Sequence, residues 1–61
     1  MFTYETQGNG YFVTIYAPDG RDVFLQGDDA IQLLDDIDGL ADLDDDRAQM
    51  IQNSMLSEYF A

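Results

Sequence analysis

The chain has 61 residues, 46% of them hydrophobic, and sets 13 acidic side chains against two arginines for a formal charge of −11. A chain this short can bury one small core, yet its apolar content separates it from disordered acidic tails, which lack the side chains to offset the entropy of ordering. With no cysteine and no lysine, a disulfide framework and a thiolate metal site are excluded, and the usual phosphate contacts of a nucleic-acid binder are missing.

The first half reads as strands. Phe2 to Thr6 and Tyr11 to Ala17 are rich in aromatic and β-branched residues, and Gln7-Gly8-Asn9-Gly10 separates them with an Asn-Gly pair suited to a tight hairpin turn. Ala17-Pro18-Asp19-Gly20-Arg21 then has proline where φ near −65° is wanted and glycine where a left-handed residue is wanted, which predicts a type I turn with a bulge. Arg21 to Gln26 returns as a third strand and completes an antiparallel meander. With Asn9-Gly10 as the first turn, Phe2, Tyr4, Thr6, Val13, Ile15, Val23 and Leu25 share the face expected to form the core. Thr3, Glu5, Phe12, Thr14, Tyr16, Asp22, Phe24 and Gln26 fall on the other face, where cross-strand aromatic packing is expected, with contact to a hydrophobic partner as the alternative.

Gly27 ends the sheet. Asp28 or Asp29 is a natural N-cap for a helix running to about Asp38, with Ala30, Leu33, Leu34 and Ile37 on one stripe and Gly39 as terminator. Asp44-Asp45-Asp46 places carboxylates at the positive end of a second helix that continues to about Glu58, with Ala48, Ile51, Met55, Leu56 and Tyr59 facing inward. The expected fold is α+β, a single domain over residues 1–61: a three-stranded antiparallel meander followed by two helices packed on one face (βββαα).

The segment GDDAIQLLDDIDGLADLDDDR holds nine aspartates: Asp28, Asp29, Asp35, Asp36, Asp38, Asp42, Asp44, Asp45 and Asp46. A solvated helix face with favourable N-terminal charge accounts for Asp28, Asp29 and Asp44 to Asp46. It does not account for Asp35, Asp36 and Asp38, which fall at the negative end of the first helix, where each charge costs roughly 0.3–1 kcal/mol. Aspartate also forms helix less well than glutamate, so eleven aspartates to two glutamates point to short carboxylates held close to a fixed backbone. If the span from Asp28 to Asp46 were all helical, it would carry one charge per about 3 Å. One strand of duplex DNA carries one per about 3.4 Å. These nine residues are therefore the candidate contact surface for a basic, nucleic-acid-binding protein, which self-repulsion would otherwise give no reason to keep.

The same segment resembles the acidic helices of small phage-encoded nucleic-acid mimics, several anti-CRISPR proteins among them. The resemblance lies in size, charge and aspartate placement over about a third of the chain, with no defining motif. It implies an inhibitor that keeps target DNA from a CRISPR surveillance complex, with an effector subunit as partner; other DNA-binding targets fit the same residues.

Other readings are open. An EF-hand loop starting at Asp42 would need glycine sixth and glutamate twelfth, where the chain has Arg47 and Asn53. Without His, Cys or Lys, catalysis would fall to a carboxylate pair in a pocket the sequence does not suggest, so neither enzyme activity nor a cofactor is expected. The alternative function is a small antitoxin-like or regulatory module that binds protein through the sheet aromatics Phe12, Tyr16 and Phe24. The C-terminal LSEYFA is expected to dock on the core, with self-association the alternative. No stretch reaches membrane-span length, and MFTYETQGNG lacks a basic start and a hydrophobic signal core, so a complete cytoplasmic product is expected, monomeric or weakly dimeric, that contacts neither membrane nor nucleic acid directly.

Overall fold

The computed structural model describes residues 1–61 and has the expected βββαα order. Strands β1 (Thr3–Gln7), β2 (Phe12–Tyr16) and β3 (Asp22–Gln26) precede helices α1 (Asp28–Asp38) and α2 (Asp45–Ser57). The sheet is an antiparallel meander in the order β1-β2-β3.

Both turns follow from their residues. Tyr11 N–H donates to Gly8 O at 3.2 Å, and the two central residues, Asn9 (φ 59°) and Gly10 (φ 92°), are left-handed. This is the type I′ geometry that matches strand twist. Gly8 is also left-handed, and a Cβ there would stand 2.7 Å from the Phe12 ring, so glycine is required twice over at that position. In the second turn Gly20 N–H donates to Ala17 O at 3.2 Å and Ala17 N–H to Arg21 O at 2.9 Å, while Gly20 takes φ 97°. The Arg21 backbone N–H, with its guanidinium, holds the Asp19 carboxyl below the usual carboxylate range.

The register pairs Tyr4 with Ile15 and Thr6 with Val13, then Ile15 with Val23 and Val13 with Leu25. That alternation sends Val13 and Ile15 into the core, where they meet Ala30 and Leu33 of α1 and Leu56 of α2, all at most 1% exposed. Thr6, expected on this face, stays exposed at the end of β1.

Two local expectations are corrected. The N-cap of α1 is Gly27 (φ 62°, ψ −132°), with no side-chain cap, and Asp28 and Asp29 lie inside the first turn. Only one residue separates β3 from α1, so the reversal needs a backbone conformation that glycine alone adopts without strain. Helix α1 ends at Asp38 with Gly39 as its C-cap, as expected; Gly39 is right-handed (φ −63°), so the chain runs on through a 3-10 turn over Gly39–Asp42 before Leu43 turns extended. Of the residues expected inward on α2 and just after it, Leu56 is in the core and Met55 packs against it, but Ile51 and Tyr59 are 37% and 40% exposed. The stripe that faces the core runs through Asn53, Leu56 and Phe60. Asn53 Oδ1 accepts the Phe2 N–H at 2.8 Å, and the Phe60 ring lies 5.4 Å from that of Phe2, so this side of the helix faces the residue just before β1.

Both helices thus cover one face of the sheet. The extents of 28 × 26 × 16 Å describe two layers, and the opposite sheet face is bare.

Candidate functional site

On α1, Ala30 and Leu33 are buried, with Leu34 and Ile37 half-buried beside them. At about 100° per residue this leaves Asp28 and Asp35 pointing directly away from the core, Asp29 and Asp36 on one flank, and Asp38 on the other. All five are exposed. Partners seven residues apart are separated by about 10 Å along the axis. The helix therefore carries two short parallel rows and one outlying charge over about half its circumference. Its charge density, five aspartates in 11 residues, matches the one per about 3 Å expected for the whole segment.

The other four do not continue that line. Asp42 sits in the 3-10 turn, and Asp44 to Asp46 open α2 after the chain has passed through the extended residue Leu43. A single helical rod from Asp28 to Asp46 is therefore not formed. Asp44 is the N-cap of α2, its Oδ1 accepting the Arg47 N–H at 2.8 Å, and Asp45 and Asp46 occupy the first turn, where the dipole favours them. These four side chains are exposed as well.

None of the nine carboxylates is paired with a cation. The one ion pair in the molecule is Arg21–Asp19, Nε to Oδ2 at 2.8 Å, in the second hairpin turn. Asp36 accepts a single side-chain hydrogen bond, from Gln32 Nε2 at 3.1 Å. At the unfavourable end of α1, Asp35, Asp36 and Asp38 have no basic residue in the last turn to offset the dipole.

A residue the sequence reading placed elsewhere joins this surface. Partial burial of the Tyr59 ring, and after it the carboxylates of Asp36, Asp29 and Glu58, push the phenol above its ordinary value of 10.0. The 3-10 turn that follows α2 thus brings Tyr59 to the Asp29/Asp36 flank. No local pattern foretells this, because the groups belong to distant parts of the chain.

No three carboxylates converge to hold a metal ion, and the surface has no pocket. No helix is long and apolar enough to cross a membrane. The bare sheet face is the second feature. There Phe12 and Phe24 stack at 5.9 Å with an interplanar angle of 18°, and Tyr16 donates its hydroxyl hydrogen to Glu5 Oε2 at 2.9 Å. The C-terminal segment docks on the core through Leu56 and Phe60, under the guanidinium of Arg21.

No family model matches this chain, and no curated protein or solved structure matches it significantly.

Proposed function

We propose that this chain is an acidic inhibitor that occupies the nucleic-acid-binding groove of a basic protein, presenting Asp28, Asp29, Asp35, Asp36, Asp38, Asp42, Asp44, Asp45 and Asp46 in place of phosphates. The observation that carries this reading is that all nine carboxylates are exposed and unpaired. Three of them also occupy a helix end where charge of that sign costs stability. A surface kept for solubility alone would mix in cations and avoid that position.

Because α1 spreads its carboxylates over two short rows, the surface is closer to a patch of backbone charge than to a copy of one extended strand. Such a patch releases counterions from a cationic groove and is steered to it as DNA is. Inhibition is competitive and involves no chemistry. A bacterial defence complex is the target class, a CRISPR surveillance complex first among them on the resemblance of the acidic segment, and the cytoplasm is where such a target is met.

The test uses the triple variant Asp35→Asn, Asp36→Asn, Asp38→Asn. A basic protein captured at low salt should lose its DNA binding to the unaltered chain in competition. The triple variant should keep its circular dichroism spectrum and compete at least tenfold more weakly, and affinity of the unaltered chain should fall more than tenfold between about 50 and 200 mM salt. Equal competition by the folded triple variant would falsify the role.

A further inference from the structure

We infer that the bare face of the sheet is a docking surface for an extended, arginine-bearing segment of a partner protein. This goes beyond the acidic helical surface, and either can fail without the other.

The register lays the face out as three rows across the strands: Thr3–Tyr16–Asp22, Glu5–Thr14–Phe24 and Gln7–Phe12–Gln26. Successive rows recur every ~6.8 Å along the strands, which is also the spacing of alternate side chains in an extended segment. Across these rows run Tyr16, Phe24 and Phe12 as a band of exposed rings, Phe24 the most open at 57%. Glu5 flanks the band on β1 and Asp22 on β3, and no cation of this chain pairs with either.

The molecule itself shows what such a ring and carboxylate bind. The Arg21 guanidinium stands 5.4 Å from the centre of the Phe60 ring while its Nε donates to Asp19 Oδ2 at 2.8 Å. Asp22 and Phe24, two residues apart on the same face of β3, offer the same pair of groups about 7 Å apart with no guanidinium between them.

Charge decides among occupants. A second copy would bring a further −11 against the same sign, and an anionic surface would be repelled likewise. A neutral apolar partner would strip water from Glu5 and Asp22 and return no counter-charge. A cationic segment satisfies rings and carboxylates together, and arginine does so better than lysine, because its planar, weakly hydrated guanidinium stacks on a ring.

The 61-residue chain, labelled with ¹⁵N, is titrated at about 150 mM salt with Ac-Gly-Arg-Gly-Arg-Gly-NH₂, its lysine counterpart and its leucine counterpart. The arginine peptide should shift Thr14, Tyr16 and Phe24 and bind about three-fold more tightly than the lysine peptide, because the planar, weakly hydrated guanidinium stacks on a ring better than an ammonium does. Phe24→Leu and Asp22→Asn should each weaken it by about that factor, whereas the Asp35/Asp36/Asp38→Asn triple variant should keep the strand shifts. Should Phe24→Leu not fold, Asp22→Asn and the unaltered chain decide the matter. Shifts confined to α1 and the start of α2, equal affinity for lysine or leucine peptide, or strand shifts that follow protein concentration alone would each overturn the inference, the last in favour of a second copy.

Discussion

Tyr59 and Tyr16 are the residues whose proton equilibria the fold raises. Partial burial, followed by the charges of Asp36, Asp29 and Glu58, raises the Tyr59 phenol. For Tyr16 the leading cause is the hydrogen bond to Glu5. A phenol whose value is higher in the folded state holds its proton more tightly there than in the unfolded chain. Its contribution to stability is therefore fully present below the ordinary value of 10.0 and is lost as pH rises through the higher folded one. The melting temperature should fall as pH is taken from 9 to about 11, and Tyr59→Phe with Tyr16→Phe should flatten that fall. Thermal melts followed by circular dichroism across this range check it; a double variant with an undiminished slope would assign the alkaline loss to other groups. The outward position of Tyr59 was not legible in the sequence. Ala48, Ile51, Met55, Leu56 and Tyr59 look like one inward stripe, and Met55 and Leu56 do pack on the core, but Asn53 faces the Phe2 N–H and Ile51 and Tyr59 are left outward; no local pattern encodes a contact across nearly the whole chain.

The two helices begin by different physics, and this separates stability from recognition. Helix α1 starts on a glycine with no side-chain cap, so Asp28 and Asp29 contribute only charge to its first turn. Helix α2 starts on Asp44, whose carboxylate accepts the Arg47 N–H. Asp44→Ala should cost about 1 kcal/mol of stability through loss of the cap. Asp44→Asn should retain most of that cap while removing the charge. Urea denaturation of the two variants measures the first effect, and competition with DNA for a basic target measures the second. If both variants lose competition equally while only the alanine form loses stability, the charge of Asp44 serves binding and its geometry serves folding. The sequence announced both helices, α1 through the helical spacing of Ala30, Leu33, Leu34 and Ile37 and α2 through the carboxylates of Asp44 to Asp46 at its start. It misplaced the cap of α1 because aspartate is the commoner cap residue, whereas the one-residue link from β3 demanded glycine.

The whole molecule balances a small core against large self-repulsion. Six residues are buried, and for 61 residues a net stability of about 3–9 kcal/mol is expected. Against it acts a charge of −11 within extents of 28 × 26 × 16 Å. The Debye length shortens from about 30 Å at 10 mM salt to about 10 Å at 100 mM, from longer than the molecule to less than its thinnest dimension. Added sodium chloride in that range should therefore raise the melting temperature by several degrees. A flat response in scanning calorimetry would mean that the aspartates lie too far apart to oppose folding, and the cost attributed to their crowding would be withdrawn.

Local chemistry, which needs no knowledge of the rest of the chain, was enough to determine the strands, both hairpin turns, the register and the order βββαα. Asn9-Gly10 and Pro18-Asp19-Gly20 specify their turns through backbone preference, and alternation along β2 specifies which face is buried. The exposure of Asp28, Asp29, Asp35 and Asp36 also followed from their position away from the apolar stripe of α1. Only the tertiary structure decided the rotation of α2 and the approach of Tyr59 to Asp29 and Asp36. Both depend on how elements distant in sequence pack, through contacts such as Phe2 with Asn53 and Phe60, which join the two ends of the chain.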